Sequence, residues 1–230
     1  MALIHLSPKE AAAKLAAIQD GIVTEAKKIG AERIAKLSEV ELEVFHEQIP
    51  LLFLQKFKER TVADLYERYY KSLLMGAMIA KAVSEKQKFG GIEPDTGFGA
   101  RLISPKDVGL TSWDTTPSST GWADHIAETT INTDNIFSMV VVAVASLSPS
   151  PAFTAYRFYW NKNALPIHYV EMAMRRSEEP IYFLPKAHIY TLGFPTIRTR
   201  IKWAVVKEDA PFVAGVIFAS RDYLIDETKI

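Results

Sequence analysis

The sequence contains no cysteine, and this absence excludes several kinds of chemistry at once. Thiolate catalysis, cysteine-ligated zinc and a disulfide framework all require that residue. The chain also lacks an excess of either charge, since 27 basic residues balance 27 acidic ones. Proteins that coat nucleic acid usually have a clear basic excess, so this balance argues against nucleic-acid binding as the main function of the whole chain.

Long hydrophobic segments are also missing. The longest uncharged apolar run of the helical part, residues 73–80, is far shorter than the roughly 20 residues that a membrane-spanning helix requires. Residues 1–8 contain neither a basic segment nor an apolar segment of secretory length. We therefore expect no membrane span and no signal peptide, and we expect the protein to be intracellular when it is synthesised.

Well-specified site motifs are absent from the sequence as well. It has no Walker A loop, no nucleophile elbow, no His-Glu-x-x-His and no EF-hand loop. Gly97-Phe98-Gly99 begins like a dinucleotide fingerprint but lacks the third glycine, so we interpret it as a flexible turn. We accordingly expect no cofactor and no enzymatic activity.

The N-terminal third has the features of helices. Hydroxyl residues followed three positions later by an acidic residue predict helix starts at Ser7, Ser38 and Thr61. Apolar residues recur at steps of three and four after each of these positions, which is the period of an amphipathic helix. Pro50 is expected to end or kink the second helix. Residues 1–90 are thus predicted to form a helical N-terminal region.

The sequence beyond residue 136 has the features of strands. Residues 139–147 form a short, β-branched apolar run, typical of a strand that is buried on both faces. Residues 197–205 alternate between apolar and basic, typical of a strand with one exposed face. The connections are short and polar, which favours antiparallel pairing. We predict an α+β fold: an N-terminal helical segment followed by an antiparallel β-sandwich-like module at residues 136–230.

Between these two regions, residues 91–135 show no sustained hydrophobic period. Glycine, proline, serine and threonine are frequent there, and seven acidic residues face two basic ones between Glu93 and Asp134. A structureless loop of this length is uncommon in a compact domain and usually serves binding or reaches across to a neighbour. We predict an extended, ordered arm or loop.

The densest set of titratable residues is Asp124, His125 and Glu128. On a helical turn His125 and Glu128 would share one side, and they could hold a metal ion or form an acid–base pair. No second histidine lies nearby, so the ligand count is short of a closed metal site, and a polar surface turn is the alternative interpretation. His168 and His188 fall in candidate strands and are interpreted as packed or surface residues rather than metal ligands.

A possible basic interaction strip is formed by Arg198, Arg200 and Lys202, with Arg175 and Arg176 as further members. Such a strip could contact phosphates or an acidic partner surface, and the acidic segment of a neighbouring subunit would be an available partner. The alternative is a strand face that is basic only for solubility.

Aromatic residues are unusually frequent around residues 156–160. Stacking on nucleic-acid bases or sugars is conceivable for them, but core packing on one face and a subunit contact on the other is the preferred interpretation. The candidate subunit-contact aromatics are Trp113, Trp122, Tyr156, Phe158 and Trp160.

In layout the chain resembles viral coat-type proteins, in which an arm reaches to a neighbour and a β module forms the shell. The resemblance implies a self-assembling capsid or virion component with a homo-oligomeric state, a virion location, contacts with other structural proteins and at most weak, non-specific nucleic-acid binding. Two alternatives stay open. One is a small-molecule-binding protein or hydrolase-like enzyme with a site near Asp124, His125 and Glu128. The other is a dimeric adaptor with a ligand- or nucleic-acid-binding β module.

Overall fold

A computed structural model describes residues 48–88, 98–132, 134–160, 162–176, 179–191 and 195–225 of the chain. The predicted helix starts at Ser7 and Ser38 lie outside these residues. Among the helices of the described part, none is both long enough and apolar enough to cross a membrane.

Two helices come first, α1 (Ile49–Leu54) and α2 (Glu59–Lys88). Pro50 lies in the first turn of α1, where its missing N–H removes no helical hydrogen bond. The preceding helix that Pro50 was predicted to end or kink lies outside the described residues. Helix α2 begins two residues before the predicted start at Thr61. The carboxylate of Glu179, far away in the sequence, accepts hydrogen bonds from the Lys58 backbone N–H (2.5 Å) and from the Thr61 hydroxyl. The cap of α2 is therefore a tertiary contact.

The remainder of the described chain is mainly strands, with two short helices, α3 (Glu171–Arg176) and α4 (Arg221–Ile225). The strands are β1 (Phe98–Leu102), β2 (Gly121–Thr130), β3 (Ile136–Ser146), β4 (Phe153–Trp160), β5 (Asn163–Ala164), β6 (His168–Tyr169), β7 (Ile181–Thr191), β8 (Thr196–Trp203) and β9 (Pro211–Ser220). Because the strands form two packed antiparallel sheets beside a long helix, the predicted α+β class with a β-sandwich-like module is confirmed.

The first sheet has the order β1-β9-β3-β7, and the second has the order β2-β8-β4-β5, with β6 also paired to β4. Since β5 and β6 pair with opposite ends of β4, they act as one interrupted strand. The pairs are nested: β1 with β9, β2 with β8, β3 with β7, and β4 with β5. This is one long antiparallel hairpin rolled up so that β9 also meets β3 and β8 also meets β4. Such a strand order is that of a jelly roll.

The molecule has three layers: α2, the first sheet and the second sheet. One core lies between α2 and the first sheet, and another lies between the two sheets. The first sheet is therefore covered on both faces, and every residue of β3 is buried. This double coverage explains why β3 and β9 are apolar at nearly every position rather than at alternate ones.

The approach of α2 to the first sheet depends on Gly76. A Cβ atom at this position would overlap Cγ2 of Val140 and come within 2.9 Å of the Phe218 ring. With no side chain there, the helix backbone comes close enough for the Ser138 hydroxyl to donate a hydrogen bond of 2.8 Å to the Gly76 carbonyl. A glycine in mid-helix costs about 1 kcal/mol relative to alanine, so here close packing outweighs helix propensity.

We expect Gly76→Ala to destabilise the fold by about 1–3 kcal/mol despite the gain in helix propensity, because the methyl group overpacks the interface. Urea unfolding followed by circular dichroism measures the change. Met75→Ala, at a neighbouring side chain that is 52% exposed, is the control and should change stability by less than about 0.5 kcal/mol. A Gly76→Ala protein as stable as the wild type would contradict this account of the interface.

The interpretation of residues 91–135 as an arm needs correction in its described part. Residues 98–132 contain β1 and β2, which pair with β9 and β8 and so contribute to both sheets. The turn after β1 is fixed by the buried Asp107 carboxylate, which accepts two hydrogen bonds from the Arg101 guanidinium (2.7 and 2.8 Å) and one from the Ser104 N–H (2.8 Å). The Tyr223 hydroxyl also donates to Asp107, which attaches α4 to this turn. Part of the acidic character of the segment is therefore structural.

Three loop segments meet at one end of the sandwich: residues 111–120, 147–152 and 204–210. We call this the loop end. The buried carboxylate of Asp209 joins the loops there by accepting hydrogen bonds from the Ser146 hydroxyl (2.6 Å), the Ala152 N–H (2.5 Å) and its neighbour's N–H (2.7 Å). A backbone bridge between Asp209 and Thr115 adds the third loop. Asp209 thus joins all three loops, two through its carboxylate and the third through its backbone.

We expect Asp209→Asn to destabilise the protein by about 2–3 kcal/mol, because the amide replaces an acceptor oxygen with a donor that faces other donors. Thermal unfolding measured by calorimetry tests this. Asp114→Asn is the matched control, since the Asp114 carboxylate is exposed and accepts from the Ser112 hydroxyl. Equal stability losses in the two variants would show that the Asp209 hydrogen bonds are not the cause.

Candidate functional site

The candidate site is the outer face of the second sheet, which no other layer covers in the described chain. Side chains of β8 alternate along this sheet. Every second residue from Ile197 to Trp203 is buried between the sheets, while Arg198, Arg200 and Lys202 point outward and are partly or fully exposed. The three central members of the predicted basic strip thus lie in one row.

The neighbouring strands extend this row into a surface. Across β4, Arg157 lies opposite Arg200 and Tyr159 lies opposite Arg198. Across β2, Trp122 lies opposite Lys202 and Asp124 lies opposite Arg200. We call this surface the basic–aromatic face. Its members are Trp122, Asp124, Arg157, Tyr159, Arg198, Arg200 and Lys202.

The arginines of the face are held in place by contacts with the rings. The Arg157 guanidinium lies over the Trp122 ring, 5.6 Å from its centroid, and the Arg198 guanidinium lies 4.8 Å from the centroid of Tyr159. Nη2 of Arg200 donates a hydrogen bond of 3.0 Å to the Trp122 carbonyl. These contacts limit the rotamers of long side chains that would otherwise move freely in solvent.

The face has an uneven charge. Asp124 is its single carboxylate and pairs with Arg198 (3.2 Å) and with Arg200 (3.4 Å). The face thus carries four cationic side chains and one anionic one, and two of the four cations pair with it. Asp124 belongs to the acidic segment that was considered as a partner from a neighbouring subunit, and the structure places it against the strip of its own chain. Half of the Asp124 side chain is exposed, so solvent screens these pairs.

The other predicted members of the strip lie elsewhere. Arg175 and Arg176 end helix α3, and the structure does not describe their side chains. Arg157 was missed by the sequence reasoning, because the aromatic residues around it suggested core packing. A strand pattern with Phe153, Tyr156 and Phe158 inside would have placed Arg157 and Tyr159 outside.

Asp124, His125 and Glu128 do not form one site. They lie on strand β2 and not on a helical turn, so Asp124 and His125 point to opposite faces of the sheet. Asp124 and Glu128 are exposed, whereas His125 is buried between the sheets. The predicted metal pair or acid–base pair of His125 and Glu128 is therefore not formed, and the alternative interpretation as a surface turn is also wrong.

His125 instead belongs to a small polar cluster inside the sandwich. Its Nδ1 lies 2.8 Å from the Tyr156 hydroxyl, which donates to Oγ1 of Thr199 (3.0 Å), and Thr199 also accepts from the Ile126 N–H (3.1 Å). Burial lowers the pKa of His125 to about 4, an effect that the backbone of Pro211 partly offsets. His125 is therefore neutral at pH 7, and its hydrogen bonds fix β2 against β4 and β8.

His168 and His188 lie together at the opposite margin of the sandwich. The His188 ring stacks on Phe158 with a centroid distance of 4.5 Å, and the His168 ring packs 5.7 Å from Tyr182. Burial, and then the charge of His168, lower the pKa of His188 to about 4. Both histidines are packed against rings, as the sequence interpretation had it, and no group of three metal-ligating side chains occurs among the described residues.

The candidate subunit-contact aromatics divide into different environments. Tyr156 and Phe158 are fully buried between the sheets, so they are not available to a second subunit. Trp113 packs within the chain on Phe212 and on the His125 ring, each with a centroid distance of 6.1 Å. Trp122 alone lies on the basic–aromatic face. Trp160 is the last residue of β4, and its side chain lies outside the description.

Comparison with known proteins identified no relative of the chain. No protein-family model, no curated protein and no solved structure matches the chain. The properties of the face therefore follow from its own residues and from the jelly-roll strand order that positions them.

We expect acid to destabilise the fold between pH 6.5 and pH 4. A histidine in the unfolded chain binds a proton below its pKa of about 6.5, whereas the buried His125 and His188 do not bind one until about pH 4. The free energy of unfolding therefore decreases as the pH is lowered through this window. For His125 alone the loss amounts to about 3 kcal/mol at pH 4. Urea unfolding at several pH values measures this slope.

The matched variants for this experiment are His125→Gln and His168→Gln. His125→Gln should reduce the slope by nearly one proton, whereas His168→Gln, at a side chain that is only half-buried, should reduce it less. A His125→Gln protein with the wild-type pH dependence would contradict the assignment of a neutral, buried His125.

Proposed function

We propose that this chain is a self-assembling structural protein that forms a shell, such as a capsid or another virion component. The observation that carries the proposal is the nested strand order of the two sheets, which is that of a jelly roll. Jelly rolls are common building blocks of viral capsids, and they also occur in lectins and cupins. The sequence resembles viral coat-type proteins in layout, and the strand order adds a specific topology to that resemblance.

The interior of the sandwich favours a structural role over a barrel that encloses a ligand. It is filled by large buried side chains, among them Phe158, Leu184, Ile201 and Ile217. The His125 cluster is hydrogen-bonded within this packing. The alternative of a small-molecule-binding protein or hydrolase-like enzyme near Asp124, His125 and Glu128 also loses its basis, because the strand places these residues on different faces.

Exposed apolar side chains supply a surface for contacts with other subunits. Leu147, Val205 and Val206 lie in loops of the loop end and are 55%, 49% and 56% exposed. Tyr169 and Met172, on β6 and α3, are exposed to 71% and 61%. Large apolar side chains exposed in this way favour burial against a partner, and a second copy of the chain is the partner that shell formation requires.

One of the two edges of the first sheet, strand β7, is unsuited to pairing with a strand of another subunit. Strand β7 is an edge strand, and it carries the exposed residues Pro185 and Lys186 in its middle. Proline cannot donate to a neighbouring strand and lysine resists burial, so both discourage growth of the sheet from chain to chain. Pairing of strands along the β7 edge is therefore not the expected contact between subunits.

Light scattering after size exclusion, with negative-stain microscopy of the eluted material, tests the proposal. The wild-type protein should elute as a large closed assembly, and Leu147→Glu with Val206→Glu should yield smaller species with unchanged circular dichroism, because charge at the loop end opposes burial. Thr130→Glu, exposed on β2, is the control and should still assemble. A wild-type protein that stays monomeric at micromolar concentration would rule out the shell.

A second candidate is an adaptor whose β module binds a ligand or nucleic acid. The specific observation in its favour is the basic–aromatic face, which carries four cations and one carboxylate beside Trp122 and Tyr159. This binding function is compatible with a shell protein, since the face and the loop end are different surfaces.

A further inference from the structure

We propose that the basic–aromatic face binds single-stranded nucleic acid. In this arrangement the cations of β4 and β8 contact phosphates, and the Trp122 and Tyr159 rings stack with bases. The inference does not depend on shell formation, because each of the residues involved lies on the outer face of the second sheet of a single chain.

The first reason is a pair of like charges that the fold itself does not require. Arg157 and Arg200 are directly opposite each other on β4 and β8. Like charges at such positions destabilise a sheet. Asp124 lies near Arg200 and Arg198, whereas Arg157 has no carboxylate partner among the described residues. A bound anion would relieve this repulsion, so the pair is favourable in a complex and unfavourable without one.

The second reason is preorganisation. Arg157 is held over Trp122, Arg198 is held over Tyr159, and Arg200 is tied to the Trp122 carbonyl. Long cationic side chains that are already ordered lose less conformational entropy when they bind a ligand. A surface that is basic only for solubility does not need such contacts.

The third reason is the spacing of the cations. Alternate residues of a strand are about 7 Å apart, so Arg198, Arg200 and Lys202 extend from evenly spaced backbone positions on one face of β8. A polyanion with regularly repeated charges matches such a row better than a single small anion does.

The aromatic rings determine which polyanion is proposed. Surfaces that bind single strands combine a basic track with rings on which bases stack. The face has this combination, with Trp122 on β2 and Tyr159 on β4 on either side of the β8 row. An acidic peptide would use the cations alone, and this difference separates the two partners by experiment. Zero net charge of the whole chain does not oppose the inference, because the excess is local.

Fluorescence anisotropy of a labelled oligothymidine of about 20 nucleotides, titrated with the protein at several salt concentrations, tests the proposal. With four phosphate contacts the logarithm of the binding constant should fall with the logarithm of salt with a slope of about −3. The measurements use both the wild-type protein and the Leu147→Glu, Val206→Glu protein. Equal affinity of the two would separate nucleic-acid binding from assembly.

Variants of the face should change affinity in opposite directions. Arg157→Gln with Arg200→Gln should weaken binding by at least about tenfold and flatten the salt slope, while Lys202→Gln should weaken it by about threefold. Trp122→Ala should weaken binding with little change in slope, because stacking does not release counterions. Asp124→Asn should strengthen it, since it removes the single anion of the face.

The controls are Arg60→Gln and Arg221→Gln, at exposed cations of α2 and α4. They should leave the affinity within about twofold. Thermal melts establish that each variant is folded, and Lys202 is exposed, so its result stands even where an arginine variant is unstable.

Three results would overturn the proposal. The first is no binding of the oligonucleotide at low salt. The second is weakening by the control variants equal to that by the face variants. The third combines two observations: polyglutamate displaces the oligonucleotide at a concentration equal to or below that of the oligonucleotide, and the Trp122→Ala protein binds the oligonucleotide with full affinity. This result would assign the face to an acidic protein partner.

Discussion

The structure depends on the burial of the first sheet on both of its faces. Strands β3 and β9 are apolar at nearly every position, so each face must be removed from water for the chain to be stable. The second sheet covers one face and α2 covers the other. Gly76 and Ser138 show how closely the second of these contacts is made. The helical region is thus an integral layer of the fold rather than a separate domain, at least in its described part.

The same constraint explains how much of the fold was predictable from sequence. The continuous apolar runs and the strict alternation of residues 197–203 predicted the buried strands and the half-exposed β8, and their short connections predicted antiparallel pairing. Strands β1 and β2 were not recognised. Register shifts after Asp124 and Ile126 break the alternation of β2, and its outward positions include small and polar residues, so no period of two is visible in the sequence. Pairing with β8 supplies the order that local sequence does not.

The candidate site was predictable in part for the same physical reason. The row of Arg198, Arg200 and Lys202 follows from alternation within one strand, whereas Arg157 and Trp122 join it through register between strands, which a single sequence does not contain. The set of Asp124, His125 and Glu128 was proposed on the assumption of a helical period. On a strand, the same neighbours separate into an outward carboxylate that pairs with arginine and an inward histidine that stabilises the core.

The contrast between these two neighbours shows where the chain favours stability and where it does not. Inside the sandwich His125 is neutral, buried and hydrogen-bonded, and at the loop end Asp209 has three donors for one carboxylate. On the outer face, Arg157 and Arg200 oppose each other, and the half-exposed carboxylate of Asp124 pairs with Arg200 and Arg198 rather than with Arg157. The Asp209 carboxylate and Nδ1 of His125 thus have hydrogen-bond partners within the fold, whereas the outer face keeps an excess of charge that the fold leaves uncompensated. An excess that the fold leaves uncompensated is what a charged ligand can satisfy, and for this reason the second sheet, rather than the histidine cluster within it, is the surface to probe for binding.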